Sequence, residues 1–363
     1  VNILIVKLSA IGDVIHTLPA LTALRRRYPD AHIAWLVEEA AADLVIGHRA
    51  VDRVLVSRRK RWLRRLRGAG RKESLREMRA FLRALRDTRY DLILDFQALL
   101  KSAVLIALAR GRRKVGFGPG LEHMEHSYLF LNERVPAVDM EIHALDRGLM
   151  LLEALGIPRG PVTYDLPVGK SEQRAVDELL RRRGIDASKP LVAVNPVAKW
   201  ETKLWSPASF ARLADRLVDR CGARVVFTGS AQDRPVIADI RSRMAFAAAN
   251  LAGETSLKTL AALYRCCRLL VSTDTGPMHL ACAVGTPVVA LFGPTAPWRT
   301  GPYGQRHRVV RTGIACSPCF KRTCPLGTGD CMREIPVSRV FAAAELSFRG
   351  GITTPREKLD QDG

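Results

Sequence analysis

The sequence predicts an α/β fold built from doubly wound parallel sheets in two halves, and three observations carry that expectation. A continuous apolar run at residues 3–6, and the expected strands at 91–96 and 191–195 with apolar centres, lack the alternation of a strand with one wet face. Helical periods follow them, giving the strand–helix order of a parallel sheet covered on both faces. A stretch bearing Pro158, Gly160 and Pro161 then separates two such series. With 363 residues the chain has room for two cores.

In order, residues 3–6 read as the first strand, residues 7–13 as a turn with one glycine, and residues 14–27 as a helix that Pro19 can kink. Residues 32–37 and 51–56 are expected strands. A basic segment follows, then an arginine-rich helix over residues 73–86 and a fourth strand at 91–96. Gln97, Lys101 and Ser102 stand at its end, before an apolar helix reaching Ala109. A helix over residues 142–155 stops at Gly156, and residues 157–167 form a linker. The second series has strands at 191–195, 225–229 and 268–272, with helices at 207–220, 234–244 and 257–264. A final helix is expected over residues 337–348, followed by a loose polar tail.

Composition bounds the function. Hydrophobic residues make up 47% of the chain, as in a globular protein, and no apolar run reaches the length of a bilayer span. No charged-then-apolar signal opens the chain, so a cytosolic location is expected. The net charge of +21 favours anionic partners, either nucleic acid or an anionic membrane surface. The densest basic stretch is residues 58–67, where Trp62, Leu63 and Leu66 interleave with the arginines. No helix-turn-helix or zinc-finger spacing surrounds it, so no specific nucleic-acid reader is expected. An anionic lipid surface suits it better, and a solvated basic face is the plainer alternative.

Residues 272–280 (STDTGPMHL) carry the sharpest local chemistry. A strand ends in a polar turn that opens into a helix. The first amides of such a helix have no intrahelical partner and attract anions. Gly276 permits close backbone approach, and Pro277 suits the first helical turn. Asp274 and Thr275 can equally be helix caps. His279 lies within a turn of the helix start. Two α/β halves joined by a linker are expected to enclose a ligand cleft.

Several long motifs resemble the ADP-heptose:lipopolysaccharide heptosyltransferases. They are residues 6–21 (VKLSAIGDVIHTLPAL), residues 272–280 with the continuation FGPT at 292–295, Trp35 to Glu39, Gln97 to Ser102, and Lys203 to Trp205. The resemblance spans roughly residues 1–335. It implies the GT-B architecture, two facing Rossmann-like domains with parallel sheets. An acceptor-binding domain is expected over residues 1–160 and an ADP-heptose-binding domain over 161–335. Residues 336–363 are expected as a helix returning to the first domain, with a polar tail.

The implied reaction is attack by an acceptor hydroxyl on the anomeric carbon of ADP-L-glycero-β-D-manno-heptose, expelling ADP with inversion. Asp13 is the implied base, although any Asp at this place can cap the following helix. Lys203 and the helix start at Thr275 and Gly276 are expected to stabilise the leaving diphosphate. Asn195, Thr202, Gly229, Asp274 and His279 complete the expected donor site, with Asp274 orienting the loop or bonding a sugar hydroxyl. The implied acceptor is the Kdo region of lipid A, or its mono-heptosylated form. Lys7, Gly12, Arg58, Arg59, Lys60, Arg61, Gln97 and Lys101 are candidates to hold it. No cofactor is required, because a helix start plus Lys203 can replace a divalent ion. A monomer at the inner face of the inner membrane is expected.

Of eight cysteines, Cys221, Cys266, Cys267 and Cys282 read as reduced core residues. Cys316, Cys319, Cys324 and Cys331 form a cluster whose ligand count suits a structural zinc. Within the family, the basic segment and the contexts of Glu38, Glu39, Lys101 and Ser102 resemble type I, whereas the cysteine segment resembles type II. The competing class is a non-catalytic module on the same fold that binds anionic lipid or nucleic acid. Asp13 and Lys203 favour the enzyme.

Overall fold

A computed structural model describes residues 1–68, 70–121, 125–186 and 188–350. The chain forms two compact units, Val1–Pro167 and Val168–Gly363. The division falls a few residues beyond the expected boundary at 160. The tail expected to be loose lies, from residue 351 onward, outside the described residues.

The first unit runs β1 (Asn2–Val6), α1 (Ile11–Arg27), β2 (His32–Glu38), β3 (Arg53–Ser57), α2 (Arg59–Leu66), α3 (Arg71–Arg86), β4 (Tyr90–Asp95), α4 (Leu100–Leu108), β5 (Gly111–Phe117), β6 (Glu133–Val135) and α5 (Ala144–Glu153). Its six strands pair in the order β3-β2-β1-β4-β5-β6, every pairing parallel. β1 is central, with Ile5 aligned between Trp35 and Leu94. Ile3 to Val6 are fully buried, which is why this strand has no polar face. Beyond the expected elements the structure adds α2, formed by the basic segment, and strands β5 and β6. β5 opens on charged residues and buries only its last three, Val115 to Phe117, so its sequence carries half a strand signal.

The second unit runs α6 (Lys170–Arg182), β7 (Leu191–Asn195), α7 (Pro207–Cys221), β8 (Arg224–Phe227), α8 (Arg234–Ser242), β9 (Ala249–Asn250), α9 (Leu257–Cys266), β10 (Leu269–Thr273), α10 (Gly276–Ala283), β11 (Val288–Leu291), α11 (Pro297–Thr300), β12 (Arg308–Val310), α12 (Asp330–Arg333) and α13 (Val337–Gly350). The order β12-β11-β10-β7-β8-β9 repeats the first sheet's winding. α7 shows the local logic. Ser206 accepts the amide of Ser209 at its start, Pro207 opens its first turn, and Gly222 at φ 61° ends it. α13 packs on α7 and along β10, β11 and β12 of the second unit. Val340 and Ala344 are the reason, being fully buried in the core shared with Leu217 and Val310.

Among the described residues no helix is long and apolar enough to cross a membrane.

Candidate active site

In both sheets the winding reverses between the first and fourth strands. Open parallel sheets bind ligands at the carboxyl ends of such strands. In the first unit these are β1 and β4. A cavity of about 280 Å³ lies there, lined among others by Lys7, Asp13, His16, Thr17, Gln97 and Arg147. Three contacts build it. The Lys7 ammonium donates to the carbonyl of Phe96 at 2.8 Å. The Gln97 side-chain carbonyl accepts the amides of Leu8 and Ser9 at 2.9 and 3.0 Å, tying the loop after β1 to the loop after β4. Asp95 accepts the amides of Gln97 and Ala98 at 3.0 and 3.1 Å. Those two bonds hold Ala98 at φ 55°, a region that non-glycine residues seldom occupy. Asp95 is fully buried, and burial pushes its carboxyl up to about 6 against the pull of these amides.

Asp13 occupies the third position of α1, where one carboxylate oxygen accepts the amide of Ala10 at 2.8 Å. It therefore caps its helix and lines the cavity at once. Gly12 is buried beside it in the first turn. His16 lies three residues further along α1, its ring edge-on to His143 at 5.0 Å. Sequence reasoning missed His16, Thr17, Asp95 and Arg147. His16 and Thr17 were open to discovery, because residues three and four after Asp13 share its helix face. Arg147, on α5, has no sequence signal linking it to Asp13.

The other expected acceptor residues form a separate charged cluster. Glu38, ending β2 and 5% exposed, faces Arg59 at 3.5 Å, Lys101 at 3.7 Å and Lys60 at 3.8 Å. Glu39 pairs with Arg58 at 3.1 Å and Arg61 at 3.3 Å. Arg61 also meets Glu77 at 2.9 Å, where the Trp62 indole donates at 2.7 Å. The basic run is thus a set of ion pairs folded over two carboxylates of the β2 end. Burial pulls the Lys101 ammonium below the usual lysine value, opposed by Glu38 and reinforced by Arg59 and Lys60. Lys101 also donates to the Ser9 hydroxyl, which links this cluster to the Asp13 loop.

In the second unit the corresponding strands are β7 and β10. Asp274, 7% exposed, follows β10. One of its oxygens accepts both the Lys203 ammonium at 2.6 Å and the Thr295 hydroxyl at 2.7 Å. A single carboxylate thereby ties together the loops after β7, β10 and β11. Lys203 also lies 4.5 Å from the centre of the Trp200 ring. Thr275 precedes α10, which opens at Gly276 with Pro277 in its first turn, and His279 is buried on that helix. Lys203, Asp274, Thr275, Gly276 and His279 are therefore brought together at the β10 end.

The remaining expected donor residues make contacts of their own. Asn195 is buried, with its amide nitrogen donating to the carbonyl of Val197 at 3.1 Å. The Thr202 hydroxyl donates to the Lys321 carbonyl at 2.8 Å. Gly229 follows β8, and a methyl group there would sit 3.1 Å from Asp233, so close packing accounts for the glycine.

The cysteine cluster does not make the metal site considered for it. All eight cysteines are free thiols. Among the described residues no group of three or more His, Cys, Asp or Glu side chains is placed to hold a metal ion. Cys331 is buried in the core near Gly293, and burial with the neighbouring thiols of Cys319, Cys316 and Cys324 pushes its own thiol up. Cys324 instead turns its sulfur to the amide of Gly329 at 3.4 Å, and such backbone contacts pull its thiol down.

Comparison with known proteins fits this geometry. The family glycosyltransferase family 9 (heptosyltransferase) matches residues 78–329. Lipopolysaccharide heptosyltransferase 1 of Pseudomonas aeruginosa is 33% identical over 328 residues, covering 89% of this chain and 87% of the relative. The enzyme of the same name from Salmonella typhimurium is 31% identical, covering 87% and 94%. Among solved structures, the Escherichia coli heptosyltransferase WaaC with ADP is similar at a TM-score of 0.77 and 26% identity, covering 96% of this chain and all of that one. The α/β fold with two parallel six-stranded sheets is the one seen in those enzymes, and the chain belongs to glycosyltransferase family 9 (heptosyltransferase).

Proposed function

We propose that this glycosyltransferase moves L-glycero-D-manno-heptose from ADP-heptose to the Kdo region of lipid A, with inversion, in assembly of the lipopolysaccharide inner core. Similarity to two proteins named heptosyltransferase 1 supports this choice of acceptor. The observation that carries the chemistry is the place of Asp13. It is a half-exposed carboxylate lining a cavity at the switch point of the first sheet. There it accepts the proton of the attacking hydroxyl through the oxygen that Ala10 leaves available. Lys7 and Gln97 shape the cavity by fixing its two loops.

The leaving diphosphate is stabilised in the second unit. Lys203 has three donor hydrogens, so it can keep Asp274 and still reach a phosphate oxygen. The start of α10 adds backbone dipoles where negative charge develops. Arg58, Arg59, Lys60, Arg61 and Lys101 meet the acidic acceptor and the anionic inner face of the inner membrane.

The test is incubation with ADP-heptose and either Kdo2-lipid A or its mono-heptosylated form, with products read by mass. Addition of one heptose to Kdo2-lipid A alone is expected. Transfer only to the mono-heptosylated form would assign the later step, and transfer to neither would refute the reading.

A further inference from the structure

The first unit carries a second cavity that the transfer chemistry does not use. It is an apolar groove of about 530 Å³ among α2, α3 and α4, within the size range of small-ligand sites. Trp62, Phe81, Val104 and Leu108 line it, together with the cations Arg59 and Lys101. α4 shows an apolar stripe along it. Leu100, Val104 and Leu108, one turn apart, are 49%, 47% and 37% exposed. An exposed apolar stripe beside a deep groove marks a contact surface.

We propose that this groove receives one acyl chain of the glycolipid acceptor, an inference that rests on the acceptor reading above. Two features select this occupant. The first is charge. The apolar walls carry two cations, Arg59 and Lys101, which share the single Glu38 carboxylate and so leave net positive charge, matching a hydrocarbon tail beneath an anionic head. Glu125, the acid in the lining, has one oxygen engaged with the amide of Leu100 at 3.0 Å. The second is continuity with the reaction cavity. Leu99 lines the Asp13 cavity while the next residues, Leu100 and Lys101, line the groove. Lys101 also bonds Ser9 on the Asp13 loop. A molecule whose sugar reacts at Asp13 therefore has an apolar berth adjoining it for its tail. A lipid of the surrounding bilayer would have no need of that adjacency.

The test uses the full chain with Val104→Glu and Leu108→Glu combined, and a milder variant with serine at both positions. Both side chains are substantially exposed, so the fold should persist, which unfolding midpoints check. Binding is read first, from the fluorescence change of Trp62 in the groove wall on titration with Kdo2-lipid A in detergent micelles. Transfer kinetics follow, with Kdo2-lipid A and with its fully deacylated form. The expected result is a loss of affinity, and a rise in KM, of roughly tenfold to a hundredfold for the acylated acceptor only. That is what a few methylenes forfeit when their burial is lost. Equal effects on both acceptors, or on neither, overturn the proposal. So does an effect confined to binding of acceptor-free phosphatidylglycerol vesicles, which would make the groove a bilayer contact. If the wild-type chain transfers heptose to neither acceptor, the functional reading fails, and the fluorescence titration still decides the groove.

Discussion

Replacing Lys203 by methionine removes a cation from a pair in which both partners are shielded. Lys203 has 15% of its side chain exposed and Asp274 has 7%. Removing one partner of a buried pair leaves the other charged and unpaired, and typically costs about 3–5 kcal/mol. The lower end applies here, because Asp274 keeps the Thr295 hydroxyl. For a unit of this size that is roughly 6–12 °C of melting temperature. Asp274→Asn in the same chain removes the unpaired charge and should restore stability to within about 1 kcal/mol. ADP binding behaves differently. If Lys203 donates to the diphosphate, its loss weakens ADP about tenfold to a hundredfold. The double variant does not recover it, since no cation has been returned. Calorimetric titration with ADP and thermal unfolding of wild type, both single variants and the double variant separate the two effects. A double variant that binds ADP as tightly as wild type refutes the role given to Lys203. A single variant with undiminished stability refutes the energetic role given to the pair.

Asp13→Asn should lower turnover by about two to four orders of magnitude while ADP affinity stays unchanged, measured by product mass and calorimetry. An effect within a few-fold would leave Asp13 as a helix cap alone. Neutralising Arg58 and Arg61 together with Glu39→Gln should raise acceptor KM without destabilising the chain, and the effect should shrink as salt rises. Asp95 makes a pH prediction. Its folded value of about 6 lies above the unfolded value near 4, so in that window the folded chain retains a proton the unfolded chain has lost. Stability should therefore fall, by up to about 3 kcal/mol from this group, as pH rises from about 4 to about 6, and level off above. Urea unfolding of wild type and Asp95→Asn across that range should show the difference in slope.

The buried central strands were legible because sheets covered on both faces leave no polar positions: β1 and β7 read as strands from their runs alone. β5 and β6 were not, since their exposed halves carry charge, and α6 hides its Val176, Leu179 and Leu180 face among nine polar or charged neighbours. Asp13 and Lys203 stood out through their surrounding motifs. Their partners did not. That Asp274 holds Lys203, and that Glu38 and Glu39 hold the basic run, depends on strands adjacent in space and distant in sequence. From composition alone the run 58–61 reads as surplus charge, and the cysteine spacing reads as a ligand set. Folding pairs the former and keeps the latter as neighbouring thiols that, among the described residues, are not grouped to hold a metal ion.

The pairing of the basic run sets the terms of any exchange there. Each guanidinium already has a carboxylate, so an incoming anion does not fill a vacancy; it must outbid a neighbour already in place. A lone monoanion replaces one contact with a similar one and gains little. A ligand with several anionic groups at fixed spacing can displace Glu38 and Glu39 in concert, and its second contact forms at the high effective concentration created by the first. The cluster thus discriminates by valency. Chloride and single phosphates of the cell should pass over it, and a multiply charged headgroup should not.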